Sequence, residues 1–185
     1  MKMIGLCGVA RCGKDSFAQA IIDHNPKLFR KHGFAYELKN DLNDFLLTKL
    51  GISAFTENPS EKEIIRPLLI CWGTDVIRNN YDKTHWIKKI KNSVDKNFKN
   101  GYTTIITDVR FTNELDWIKQ NGGKTIYISR KDCFPTGEIE KETESLVDNC
   151  DCHFYWGDIC RIDEDAKKHA INFFNKNIWL NNMQT

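Results

Sequence analysis

Met3-Ile4-Gly5-Leu6-Cys7-Gly8-Val9-Ala10-Arg11-Cys12-Gly13-Lys14-Asp15-Ser16 is an apolar run that closes on Gly-x-x-x-x-Gly-Lys, and Phe17-Ala18-Gln19-Ala20-Ile21-Ile22 continues it as a helix start. Strand, glycine spacing, lysine and helix coincide, which is the context that a phosphate-binding P-loop requires. The glycines let successive N–H groups turn inward, the helix N-terminus adds partial positive charge, and Lys14 can reach the terminal phosphates of a nucleotide. Gly8, Arg11, Cys12, Gly13, Lys14, Asp15 and Ser16 are therefore the expected nucleotide-binding set; the bland alternative is a glycine turn between a strand and a helix. One position departs from the usual pattern. A Ser or Thr ordinarily follows the lysine and holds magnesium, whereas here Asp15 follows and the hydroxyl comes next, at Ser16. An acidic residue suits the first turn of a helix, but beside phosphates it repels them unless a cation lies between. Asp15 thus reads either as a ligand to magnesium or its water, or as a helix cap.

With 185 residues, 41% hydrophobic and 28% charged, the chain has the size of one domain with a substantial core. A formal net charge of +2 is too small to announce a nucleic-acid or membrane partner, so basic chemistry must come from individually placed Lys and Arg. No apolar run approaches the ~18 residues of a membrane span and no signal-peptide pattern opens the chain, so a soluble, cytoplasmic protein is expected. Seven cysteines is an odd count that argues against a disulfide framework. Cys150-Asp151-Cys152-His153 with Cys160 invites a zinc reading, yet Cys-x-Cys lacks the spacing of common zinc knuckles, and ordinary cysteines entering a strand are expected instead.

Along the chain, the first helix should reach His24-Asn25 before Pro26. A basic loop then leads to a short buried strand, Gly33-Phe34-Ala35-Tyr36, and a helix over 38–50 with Leu38, Leu42, Phe45, Leu46 and Leu50 at helical spacing and Gly51 as its stop. Ser60-Glu61-Lys62-Glu63 reads as a capping box opening a helix through Ile64, Leu68, Cys71 and Trp72, with Pro67 as a possible kink. The segment 84–100 places Trp86, Ile87, Ile90, Val94 and Phe98 on one helical face. Tyr102-Thr103-Thr104-Ile105-Ile106-Thr107 is a β-prone run, followed by a helix that Thr112 can cap and Gly122-Gly123 end. A fourth strand over 124–129 ends in Arg130, the polar segment 131–149 reads as a mobile lid with a short helix, His153-Phe154-Tyr155-Trp156 is a fifth strand, and Asp163 caps a last helix. Strands separated by helices imply a three-layer α/β sandwich around a parallel sheet of about five strands.

A P-loop alone says nucleotide, not reaction. A GTPase would want Asn-Lys-x-Asp, and Asn175-Lys176-Asn177-Ile178 fails at its last position. A motor ATPase would want an acidic pair closing a strand, whereas here the strand ends Thr107-Asp108-Val109-Arg110. A single Asp followed by Arg at the C-terminal end of a strand fits a kinase holding a second anionic substrate. Phosphoryl transfer needs positioned positive charge, and Arg11, Arg66, Arg78, Arg110 and Arg130 supply it, Arg130 being expected with Arg11 on the side of the nucleotide donor, although any one of them could be a solvated surface arginine.

Thr107-Asp108-Val109-Arg110-Phe111-Thr112-Asn113-Glu114, with Gly13-Lys14-Asp15-Ser16 and Arg66-Pro67-Leu68-Leu69-Ile70-Cys71-Trp72-Gly73-Thr74-Asp75, resembles the bacteriophage-type deoxynucleoside monophosphate kinases. The resemblance runs from the P-loop to about Asn149, and the family too carries Asp at the position of Asp15. It implies that Lys14, Asp15 and Ser16 serve ATP and Mg2+, with Asp15 and Ser16 as metal ligands. It further implies a monophosphate and transfer site from Arg66, Trp86, Asp108, Arg110 and Glu114, and it suggests a homodimer; Lys39, Trp72, Asp75 and Arg78 are further candidates for binding the acceptor. The monophosphate-binding region would be about 37–100. Arg66 and Arg110 can clamp a phosphate through paired N–H groups, and Trp86 can stack on a base, or else simply fill its apolar helix face. Pro67 stands where the family often has a basic residue, and Lys141-Glu142-Thr143-Glu144-Ser145 keeps only part of the family's lid motif. The expected activity is γ-phosphate transfer from ATP to a deoxynucleoside 5'-monophosphate. The rivals are a kinase of phosphomevalonate or dephospho-coenzyme A, and a module that senses ATP without transferring phosphate.

Overall fold

In the computed structural model, which describes residues 1–158 and 161–179, contacts divide the chain into two compact units, Met1–Gly33 with the chain from Ser93 onward, and Phe34–Asn92.

The first unit is built on a five-stranded sheet: β1 (Met3–Cys7), β2 (Phe29–His32), β3 (Thr103–Val109), β4 (Lys124–Ser129) and β5 (Cys152–Tyr155), in the order β2-β3-β1-β4-β5. Every pairing is parallel. Central strands of such a sheet are buried on both faces and so read as continuous apolar runs, and all five residues of β1 are buried. Alternation sorts their side chains between the faces. Ile4 and Leu6 join Phe17, Ala18 and Ile21 of α1 (Lys14–His24) and Ala170 and Phe174 of α7 (Glu164–Phe174) in one core. On the other face, Gly5 brings β1 so close to α5 (Thr112–Gln120) that a Cβ there would lie 2.6 Å from Ile118 Cδ1. Phe17 centres the larger core, with ring centroids of Phe154, Trp156, Phe173 and Phe174 within 6.5 Å. Asp163 caps α7, its carboxylate accepting from Ala166 N at 2.9 Å.

The expected strand Gly33-Phe34-Ala35-Tyr36 does not exist. The strand is the basic stretch before it, β2, and Phe34 already opens α2 (Phe34–Leu50). β2 lies at the sheet edge, where alternate residues can stay polar: Phe29 is buried, while Arg30 lies over the Tyr102 ring at 3.8 Å.

The second unit holds α2, α3 (Pro59–Ile70), a π-helical segment Cys71–Tyr81 and the start of α4 (His85–Lys99). Leu42, Leu46, Ala54 and Ile65 form its core, with Leu38, Leu68 and Trp72 packed against them. Leu38, Leu42 and Leu46 follow the i, i+4 row, and Phe45 and Leu50, expected on the same face, are half exposed. On α4, Trp86, Ile87, Ile90 and Val94 are buried as their spacing implies, but Phe98 is 52% exposed. Asn58, not Ser60, caps α3: its side chain accepts from Ser60 N at 3.0 Å and Pro59 fills the first helical position, where a missing N–H costs nothing. Pro67 sits inside α3, and the helix passes into the wider π turn just beyond it, whose last bond is Asp82 N to Ile77 O at 2.8 Å. Among the described residues no helix is long and apolar enough to cross a membrane.

Candidate active site

β1 delivers the chain into a loop with positive φ at Gly8 (135°), Arg11 (62°) and Gly13 (93°). A Cβ on Gly8 would lie 2.2 Å from Ile128 O, and one on Gly13 would lie 2.5 Å from Trp156 Nε1, so neither position admits a side chain. Gly13 is the N-cap of α1 and supplies no side-chain cap. The first-turn amides of a helix have no intrahelical acceptor, which leaves this end suited to an anion. Lys14 curls over the loop, its Nζ donating to Gly8 O and Val9 O at 2.7 Å each and lying 3.7 Å from Cys12 Sγ. Burial pushes the Cys12 thiol up despite the pull of Lys14, so Cys12 stays neutral and does not compete with phosphate for the lysine.

Asp15 is not the helix cap, since Gly13 occupies that position; its exposed carboxylate pairs with Lys31 Nζ at 2.6 Å. Ser16 lies beside it, half buried, in the first turn of α1. Both offer oxygen donors of the kind a hard cation takes alongside substrate phosphates, and among the described residues no cluster of three or more His, Cys, Asp or Glu side chains makes a self-sufficient metal cage. The loop thus fits a magnesium ion shared with a nucleotide. Cys150 and Cys152 flank Asp151 at the entry to β5, and Cys160 lies outside the described residues. A hydrogen bond with Cys150, together with burial, pushes the Cys7 thiol well up.

Because β1, β3 and β4 are parallel, Gly8, Arg110 and Arg130 follow their C-terminal ends on one edge of the sheet, with Cys7 in register with both Val109 and Tyr127. Arg110 is exposed and Arg130 half buried. The Asp108 carboxylate lies against Gly33, where a Cβ would meet both of its oxygens at 2.8 Å. Thr112 does not cap α5. The N-cap is Phe111, and Glu114, 4% exposed, turns back so that Oε2 accepts from Arg110 N at 2.9 Å and Phe111 N at 3.3 Å. Its carboxylate shapes the backbone beneath Arg110.

On the second unit, Arg66 and Asp75 line one shallow groove of about 480 Å³ with Glu63, Pro67, Ile70 and Cys71. Trp72 is half buried in the core of that unit, with its indole N–H buried and, among the described residues, without an acceptor. Trp86 is 7% exposed and donates Nε1–H to Gly73 O at 2.9 Å, the packing role its helix face implies. Lys39 lies over the Phe55 ring at 5.7 Å, and Arg78 donates to Lys83 O at 3.4 Å.

The segment 131–149 carries α6 (Glu138–Glu144) and a short 3-10 turn, Val147–Asn149. Glu140 is buried and accepts from Thr136 N and Oγ1 at 2.8 and 2.9 Å. Two site neighbours escape a sequence reading. Lys31 is hidden because Phe29-Arg30-Lys31-His32 carries a single apolar residue and no alternation, so its strand reads as a basic loop. Thr143 lies in a polar stretch with no apolar periodicity to announce that it is buried.

The model of the deoxynucleotide monophosphate kinase family matches residues 46–145, a span that holds Arg66, Trp72, Asp75, Arg78, Trp86, Asp108, Arg110, Glu114 and Arg130. The deoxynucleotide monophosphate kinase of Enterobacteria phage T4 is 30% identical over 98 residues, 52% of this chain and 40% of its own length. A protein of Acanthamoeba polyphaga mimivirus, provisionally given the same name, is 32% identical over 152 residues, 70% of this chain and 75% of its own. The chain thus spans under half of the phage protein and three quarters of the viral one. Among solved structures, the dephospho-CoA kinase of Campylobacter jejuni superposes with a TM-score of 0.58 over 98% of this chain and 99% of its own; at 14% identity the likeness is one of fold.

Proposed function

This chain belongs to the deoxynucleotide monophosphate kinase family, and we propose on that premise that it transfers the γ-phosphate of ATP to a deoxynucleoside 5'-monophosphate. The observation that carries the reading is the sheet edge: the uncapped start of α1, with Lys14 beside it, shares that edge with Arg110. One feature suits a polyphosphate donor and the other a second phosphate.

In this reading the amides at the start of α1 hold the β- and γ-phosphates. Lys14 leaves the carbonyls of Gly8 and Val9 for phosphate oxygens, which carry more negative charge. Asp15 and Ser16 would hold a magnesium ion, which when bound neutralises phosphate charge. Arg110 and Arg66 hold the acceptor phosphate, while Arg11 and Arg130 add positive charge at the donor nucleotide. Asp108 orients an arginine or a sugar hydroxyl. Lys39, Trp72, Asp75, Arg78 and Trp86 belong to the acceptor nucleotide, Trp86 by shaping its surroundings. No protein base is needed, because the acceptor phosphate is already an anionic nucleophile. The segment 131–149 acts as a lid that excludes water. The reaction belongs to the cytoplasm, where free nucleotides are, and the assembly the reading carries is a homodimer.

The test is ADP release from ATP with Mg2+ against every deoxy- and ribonucleoside monophosphate, with dephospho-coenzyme A as a further acceptor. Release dependent on a deoxynucleoside monophosphate is expected. Equal release without acceptor, or release with dephospho-coenzyme A alone, would overturn the reading.

A further inference from the structure

We infer that Thr143 is a positioning residue that couples the seating of α6 to the placement of Arg110; the inference rests on the role proposed for that arginine. The Arg110 peptide is gripped from two sides. Its N–H donates to Glu114 Oε2 at 2.9 Å, and its carbonyl oxygen lies 3.3 Å from Thr143 Oγ1. Glu114 is 4% exposed and Thr143 1%, so two buried side chains, one from the first turn of α5 and one from α6, hold a backbone whose own side chain is exposed. An exposed arginine has many rotamers, and what limits where its guanidinium can go is the direction in which the backbone launches it.

The Thr143 hydroxyl has two acceptors for one proton. Besides Arg110 O it faces Ile139 O at 2.8 Å, the carbonyl one turn back on its own helix. That local bond adds little to a helix, whose carbonyl already has a backbone partner. The bond to Arg110 O has no such substitute: it joins two segments 33 residues apart in the chain. A hydroxyl free to switch between these acceptors ties Arg110 down when α6 is seated and costs α6 nothing when it is not. In-line phosphoryl transfer is sensitive to sub-ångström placement of the groups that hold the phosphates, so loosening this peptide acts on transfer and not on ATP capture at Lys14.

Thr143→Val replaces the hydroxyl by a methyl of the same shape, and Thr143→Ser keeps it. Thr143→Val should lower kcat/KM for the monophosphate roughly tenfold with KM for ATP unchanged, and Thr143→Ser should stay within about threefold of the parent. On an Arg110→Ala background, Thr143→Val should add no further loss, because its effect runs through that arginine. A second readout is independent of turnover: hydrogen–deuterium exchange of peptides covering 110–115 should quicken in Thr143→Val and not in Thr143→Ser. Equal behaviour of Val and Ser, or an undiminished loss on the Arg110→Ala background, overturns the inference. If the parent phosphorylates no monophosphate, the kinase reading fails, and the exchange comparison alone decides whether Thr143 holds Arg110.

Discussion

Lys31 Nζ stands 2.6 Å from the Asp15 carboxylate, so the acidic residue that replaces the usual P-loop hydroxyl is matched by a cation from the edge strand β2. The pair is exposed and therefore worth at most about 1 kcal/mol. Lys31→Met should barely move the melting temperature. Asp15→Asn, which removes the negative charge a metal would use, should raise the Mg2+ concentration for half-maximal activity about tenfold or more. An unchanged Mg2+ titration in Asp15→Asn would remove Asp15 from the metal site.

Lys14→Ala should lower kcat by about 10²- to 10³-fold, the loss typical of one preorganised charge at a reacting group. The fold should survive, because the bonds Lys14 makes are to loop carbonyls at its own site. Circular dichroism and steady-state ADP release check the two halves of this expectation, and near-normal turnover would defeat the proposed mechanism.

Glu114 separates structure from chemistry. Glu114→Ala should destabilise the protein by about 1–2 kcal/mol, since it strips a cap and leaves the amides of Arg110 and Phe111 without their acceptor. Glu114→Gln still accepts through its amide oxygen and should keep kcat within about tenfold of the parent. Urea melts and kinetics on both variants decide this, and a Gln variant as inactive as Lys14→Ala would make Glu114 a reacting group.

Asp151 should carry an acid-labile share of stability. Burial alone would raise its pKa, but donation from Thr125 N and Oγ1 and from Lys124 Nζ outweighs burial and holds the carboxyl below its ordinary value. A depressed folded-state pKa stabilises above the unfolded value near 3.9, and that stability is lost as pH falls through the folded value. Asp151→Asn should therefore cost stability at pH 7 and progressively less as pH falls below about 3.9, so that the cost at pH 3 is smaller than at pH 7. Urea midpoints at the two pH values test this, and an equal gap at both would contradict it.

Gly13→Ala combines backbone strain at φ 93° with a Cβ 2.5 Å from Trp156 Nε1. It should lose nucleotide binding and destabilise by about 1–3 kcal/mol. Intrinsic tryptophan fluorescence and ATP titration check it, and parent-like ATP affinity would show that the loop tolerates a side chain there.

Much of the fold was legible because it rests on local rules. The apolar run of β1 and the β-branched run of β3 name buried parallel strands, and Asp163 and Gly51 mark helix ends by chemistry that acts within a few residues. Misreadings fell where a neighbour in space outweighed the local pattern. Phe29-Arg30-Lys31-His32 is a strand because β3 offers it an edge, and its basic side chains are tolerated there; the cap at Ser60 is a different case, lost to a local rival, Asn58, two residues upstream and followed by a proline.

The amino-acid order by itself determined that a phosphate-binding loop with Lys14 and Asp15 follows the first strand and that Asp108 and Arg110 close another, because glycine spacing and strand composition act over a few residues. Only the tertiary structure decided what surrounds them. Lys31 meets Asp15, Thr143 reaches the Arg110 carbonyl, and Trp86 closes on Gly73, because each of these contacts joins separate elements of the chain that reach the same place. Periodicity carries no information about such meetings, since burial, not sequence spacing, selects the partner of a polar group.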